Sequence, residues 1–100
     1  SETESAANRF AAGSASFQAS SAALTRQQSA FALSDLRFTR GEADKLARDS
    51  AALTLANVRK QESQARAARA SAAIALYKAL GGGWQGGERI AHEAPGKPAQ

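Results

Sequence analysis

The sequence predicts an all-α protein, a long antiparallel helical hairpin of coiled-coil-like character followed by a flexible C-terminal tail. Three observations carry that expectation. Large apolar residues recur at steps of seven, as Phe10, Phe17, Leu24, Phe31 and Phe38. Alanine, the strongest helix former, dominates a hydrophobic content of 43%. Gly41 and the Gly81-Gly82-Gly83 run punctuate an otherwise nearly unbroken helical pattern, 40 residues apart.

The first element, residues 1–37, contains no proline, and Gly13 is its one strong breaker. A seven-residue repeat places one large side chain every second turn on the same face. Here Ala6, Ala12, Ala19, Ala30 and Leu33 flank it, as expected of a helix packing along a partner helix. Positions one turn away (Gly13, Ser20, Gln27 and Ser34) are small or polar, so the seam should be narrow and partly wet.

The turn is expected at residues 38–42. Gly41 can adopt positive φ to close the first helix. Thr39 with Glu42 reads as a capping box, and Glu42 and Asp44 put negative charge at the start of the second helix. A single helix continuing through Gly41 is the alternative, since one glycine costs only about 1 kcal/mol. An Arg-Phe-x-x-Gly string occurs at Arg9–Gly13 and again at Arg37–Gly41, 28 residues apart and so on one face; only the second copy is followed by acidic capping residues, which favours chance over a repeat.

The second helix is expected over residues 43–80, with Leu46, Leu53, Ala67 and Ile74 in one seven-residue register that Lys60 interrupts. Lys78 falls in its expected last turn, and Gly81 is suited to a left-handed terminal position. At about 1.5 Å per residue each helix would extend roughly 50 Å. Residues 81–84 then form a glycine cap with Trp84, and residues 85–100, with Gly86, Gly87, Pro95, Gly96 and Pro98, are expected to form a flexible tail.

Composition narrows the functions open to such a hairpin. The chain has 100 residues and no cysteine, so it carries no disulfide framework, thiolate nucleophile or cysteine zinc site. Ordering costs about 1.5 kcal/mol per residue, which an alanine-rich two-helix seam is not expected to offset without partners. No apolar stretch approaches the ~18 residues of a membrane span. The Ser1-Glu2-Thr3-Glu4 start lacks the features of a signal peptide, and no run alternates as a transmembrane strand does.

A net charge of +4 and a pI near 10.1 raise the question of nucleic acid. Arg59, Lys60, Arg66 and Arg69 are interleaved with Glu62 and lack aromatic neighbours in sequence, so a solvated surface is the expectation and no nucleic-acid partner is assigned. A membrane-surface helix is weaker still, because the basic residues after Arg59 lack an opposing bulky apolar face. His92, the sole histidine, stands alone in the tail, and Glu42, Asp44 and Asp49 sit beside Arg40, Lys45 and Arg48. No catalytic residue, metal site or cofactor is expected.

One string is more specific. Leu76-Tyr77-Lys78-Ala79-Leu80-Gly81-Gly82-Gly83-Trp84 resembles the C-terminal signature of TolC-like outer-membrane efflux proteins, the outer-membrane factors of tripartite multidrug efflux systems. In the same register, Arg37-Phe38-x-x-Gly41 resembles the family's basic-aromatic-x-x-Gly motif at the periplasmic tip. Ser1 to Ala6 falls where the family has an acidic-rich segment opening the penultimate helix, so the resemblance spans residues 1–84 without insertion or deletion.

The resemblance implies a passive export conduit. It would be a homotrimer whose outer-membrane barrel continues as a periplasmic helical barrel and docks a periplasmic adaptor (membrane fusion) protein coupled to an inner-membrane pump. It further implies that Thr39, Arg40, Gly41, Glu42 and Ala43 form the adaptor-docking tip, while the helix-packing role of Phe10, Phe17, Leu24 and Phe31 follows from their seven-residue spacing alone. Phe38, Leu46, Arg48, Asp49, Ser50 and Leu53 fall at the aperture. There the chain departs from the family: the usual acidic and basic latch positions are Ser50 and Leu53, so a gate here is expected to be more hydrophobic than ionic. Barrel strands and a first hairpin are not encoded, so the chain is expected to be one piece of such a conduit, attached to the outer membrane through parts it does not contain. A stand-alone hairpin that oligomerises or binds partner helices is the competing expectation.

Overall fold

The computed structural model describes residues 1–83, which form two helices, α1 (Glu2–Thr39) and α2 (Lys45–Gly83), antiparallel and packed along their length. The hairpin is a rod 66 Å along its longest axis. Its radius of gyration, 21.2 Å, far exceeds the ~12 Å of a compact domain of this size.

Helix α1 starts at a capping box. The Ser1 hydroxyl accepts from the Glu4 backbone N–H at 3.2 Å, while the Glu4 carboxylate accepts from the Ser1 amino group at 3.0 Å. It ends at Thr39, two residues beyond the expected 37, in a Schellman turn. Gly41 has φ +76°, its N–H donates to the Phe38 carbonyl at 3.0 Å, and the Glu42 N–H donates to the Arg37 carbonyl at 2.7 Å. The chain therefore reverses at Gly41, and the single continuous helix is not formed.

The cap of the second helix differs from expectation. Thr39 remains inside α1, with its hydroxyl donating to the Asp35 carbonyl at 2.9 Å, so it cannot form a box with Glu42. Asp44 takes that role: its carboxylate accepts from the Ala47 N–H at 2.9 Å, and α2 begins at Lys45 rather than 43. At the other end α2 continues through the glycines to Gly83, three residues past 80. Helical φ is open to glycine at about 1 kcal/mol per residue, and Gly41 alone among the described glycines has positive φ. Gly81 thus extends the helix instead of terminating it, and Lys78 no longer lies in its last turn. Trp84 and the tail at 85–100 lie outside the described residues.

The seam is thin. On α1 its half-buried residues follow alternate steps of three and four: Phe10, Gly13, Phe17, Ser20, Leu24, Gln27, Phe31 and Ser34. That is the spacing of helices wound on each other. On α2 the matching track is Ala51, Leu55, Val58, Glu62, Ala65, Ala72, Leu76 and Ala79. Ala6, Leu55 and Ala72 are the buried apolar residues among those described, and no large side chain among them is fully buried.

The seven-residue track of Leu46, Leu53, Ala67 and Ile74 is a separate face from the seam. All four are exposed, on the side of α2 opposite α1. The Phe stripe of α1 is met instead by a face bearing Arg48, Glu62 and Arg69. Glu62, expected on a solvated surface, is 5% exposed, although its i,i+4 bridge to Arg66 forms at 2.6 Å.

Candidate functional site

Two surfaces have the residues to act on a partner: the hairpin tip and the outward face of α2. At the tip, Thr39, Arg40, Gly41 and Glu42 are exposed and Ala43 is half-buried. A cluster just below holds them in place. Arg48 donates from Nε to the Asp35 carboxylate at 3.0 Å, and its guanidinium lies 5.7 Å from the Phe31 ring centroid and 5.9 Å from that of Phe38. Because the planar cation covers two rings while its fork engages a carboxylate, it ties the last turns of α1 to the first of α2.

The same cluster recurs at the far end. Arg69 lies 5.7 Å from the Phe10 centroid and 5.5 Å from that of Phe17, and donates from Nε to the Ser14 hydroxyl at 3.1 Å. Phe10, Ser14 and Phe17 precede Phe31, Asp35 and Phe38 by 21 residues, and Arg48 precedes Arg69 by the same 21. The signal was present in the sequence as a Phe-x-x-x-Ser/Asp-x-x-Phe repeat in α1 matched by an equal arginine spacing in α2. Arg66 adds a third cation, 5.9 Å from the Phe17 ring. The aromatic partners missing along α2 are therefore supplied by α1, and guanidinium groups already cover them.

Gly13 lies beside Arg69, where a Cβ would stand 3.5 Å from the Arg69 Cα. Phe10, Arg66, Arg69, Ala70 and Ala73 border a shallow groove open to solvent. Its two arginines are committed, one to Glu62 and the other to Ser14 and the rings, so it is the flank of the seam rather than a ligand pocket.

The residues expected at an aperture divide between two faces. Phe38 and Arg48 belong to the inter-helix cluster, whereas Leu46 and Leu53 stand together on the outward face, 73% and 65% exposed. Ser50 is exposed between them. Asp49 is exposed too, bridging Lys45 at 2.8 Å and approaching Arg48 at 3.6 Å. The hydrogen bond from Lys45 holds its carboxyl below the ordinary value, with the nearby Lys45 and Arg48 charges adding to the effect against slight desolvation.

In the string from Leu76 onward, Leu76 and Ala79 turn toward α1, while Tyr77, Lys78 and Leu80 face solvent. Among the described residues no group of three or more histidine or acidic side chains is placed to hold a metal ion, and no helix is long and apolar enough to cross a membrane.

By fold and surface the molecule is an extended helical hairpin with an exposed tip and an unpartnered apolar helix face. Compared with models of known protein families, with curated proteins and with solved structures, the chain matches none.

Proposed function

We propose that the hairpin is part of the periplasmic α-helical barrel of a trimeric outer-membrane efflux channel, docking a periplasmic adaptor at its tip. The observation that carries this reading is the string Leu76 to Trp84 in register with a chain reversal at Gly41, 40 residues before Gly81. Two physical features support it. The tip residues are solvent-exposed and backed by the Arg48 cluster, so a docking protein meets a preformed surface. The rod also exposes Leu46, Leu53, Ile74, Tyr77 and Leu80, apolar side chains that packing into a larger helical assembly would cover. The role is passive: the hairpin walls a conduit, with substrate choice left to an inner-membrane pump. With the exposed Leu46 and Leu53 on one face, constriction by this segment is apolar.

The test is site-specific photo-cross-linking from position 42 in the cell envelope of the native host. Capture of an adaptor protein is the expected outcome. Failure, with the same reagent at seam position 17 cross-linking α1 to α2, removes the docking role.

The exposed apolar face of α2 by itself favours a second reading, a stand-alone hairpin that binds partner helices. Gene context separates the two, since the conduit reading requires strand-forming segments and a first hairpin in the same polypeptide.

A further inference from the structure

The large apolar side chains that the seam leaves unused form a track of their own. Leu46, Leu53, Lys60, Ala67 and Ile74 follow one another at seven-residue steps on the side of α2 opposite α1, and all are exposed. Leu46, Leu53 and Ile74 are 73%, 65% and 57% exposed, and Tyr77 one turn on is 71% exposed. From Leu46 to Ile74 the track runs about 42 Å at about 1.5 Å per residue. Its one charge, Lys60, sits at the midpoint, 14 residues from each end.

Charge decides what can cover this track. Helix α2 carries seven basic residues against two acidic ones, and both carboxylates are engaged within the hairpin, Asp49 by Lys45 and Arg48 and Glu62 by Arg66. Lys60 makes no salt bridge among the described residues. An apolar helix laid over the track would desolvate that ammonium, which is costly unless a carboxylate meets it. A lone lysine in an otherwise apolar heptad track fixes the register of its partner for the same reason.

A second copy of this chain does not meet the requirement. Antiparallel pairing of α2 with itself about its midpoint sets Lys60 against Lys60. The outward track of α1, which is Asn8, Ala15, Ala22, Ser29 and Leu36, offers no carboxylate.

We propose that the outward face of α2 is a second helix-packing seam whose occupant is an amphipathic helix of a different protein, apolar at heptad spacing and bearing a carboxylate at the central heptad facing Lys60. The inference rests on the reading of a hairpin that binds partner helices and names that partner's chemistry. In the efflux reading Leu46 and Leu53 line the aperture instead, and the cross-linking from position 42 tests that reading separately.

The test uses the full chain and two synthetic helical probes of about five heptads, with leucine at the outer contact positions and either glutamate or lysine at the centre. Fluorescence anisotropy at low salt should show the glutamate probe binding about tenfold or more tightly than the lysine probe. Lys60→Gln should abolish the preference, Lys60→Glu should invert it, and Leu53→Gln with Ile74→Gln should weaken both probes. Circular dichroism verifies that the variants keep wild-type helicity, as expected for exposed positions. Equal binding of the two probes, binding of neither, no inversion in Lys60→Glu, or sedimentation showing a homodimer that Leu53→Gln dissociates would each overturn the proposal.

Discussion

Arg48 and Arg69 occupy places where a helix seam ordinarily carries leucine. Each lays an aliphatic stem along the seam and a flat guanidinium near two phenylalanine rings, so apolar surface is covered while the charge keeps contact with water. A cation–π contact at a partly exposed site contributes about 0.5–1 kcal/mol, and stem packing adds to it. Arg69→Ala is therefore expected to lower unfolding free energy by about 1–2 kcal/mol in urea titrations. Arg69→Lys should recover only part, because an ammonium lacks the planar fork that reaches Ser14. The exposed Arg59→Ala serves as control at no more than about 0.5 kcal/mol. If Arg69→Ala costs no more than this control, the stacking is incidental. Asp49 makes a smaller, pH-readable contribution. Its carboxyl titrates below the ordinary 3.8 when folded, so the folded state favours its ionised form; the stabilisation is present above that value and is lost as pH falls through the lower folded one. Thermal midpoints of wild type and Asp49→Asn should accordingly converge in acid and at high salt, since both partners are exposed to screening ions.

At the scale of elements, the turn tests which cap operates. Gly41 has φ +76° and nothing lies within 4 Å of where a Cβ would stand, so Gly41→Ala meets backbone strain alone, about 1–2 kcal/mol. Asp44→Ala should cost about 1 kcal/mol through loss of the Ala47 N–H bond. Thr39→Ala should cost little, because its hydroxyl serves only the Asp35 carbonyl inside α1; a loss as large as that of Asp44→Ala would restore Thr39 as the cap. The helices, their number and the reversal at Gly41 were legible because each has a local cause: the Phe heptads, the alanines and a glycine able to take positive φ. The face of α2 was not. Leu46, Leu53 and Ile74 form the more apolar track by composition, yet α1 already presents Phe10, Phe17 and Phe31, bulky rings that pair with arginine stems and small residues. Pairing Phe with Leu along the whole seam would force the helices apart, whereas Gly13 lets α1 approach the Arg69 backbone. The docking role proposed for the tip is not fixed by periodicity either; it rests on the likeness of Arg37-Phe38-x-x-Gly41 to a family motif.

For the whole molecule the open question is register, since two helices joined over 66 Å by a seven-residue repeat could slip by a heptad and still set Phe against α2. The turn sets the offset at one end, and the Arg69–Ser14 bond marks it near the other. Glu62 lies between, the one buried charged residue among those described, with Leu55 and Ala72 the nearest buried apolar residues of α2 to either side. Buried ions of this kind contribute little stability, because desolvation cancels much of the attraction, and their best-attested use is to specify register. Here the partner Arg66 is 67% exposed, so removing Glu62 strands no buried cation. Glu62→Leu is therefore expected to leave the hairpin as stable as wild type or more stable, by about 1–2 kcal/mol in urea unfolding. Its effect on register is read by a second measurement, the cost of Arg69→Ala in the Glu62→Leu background. If Glu62 helps fix the alignment, the Arg69 clamp carries more of that task once it is gone, and the two substitutions together should cost more than their separate effects predict. Additive effects would assign the register to the turn and the arginine clusters alone, and a loss above about 1 kcal/mol for Glu62→Leu itself would make the buried carboxylate a structural requirement of the rod.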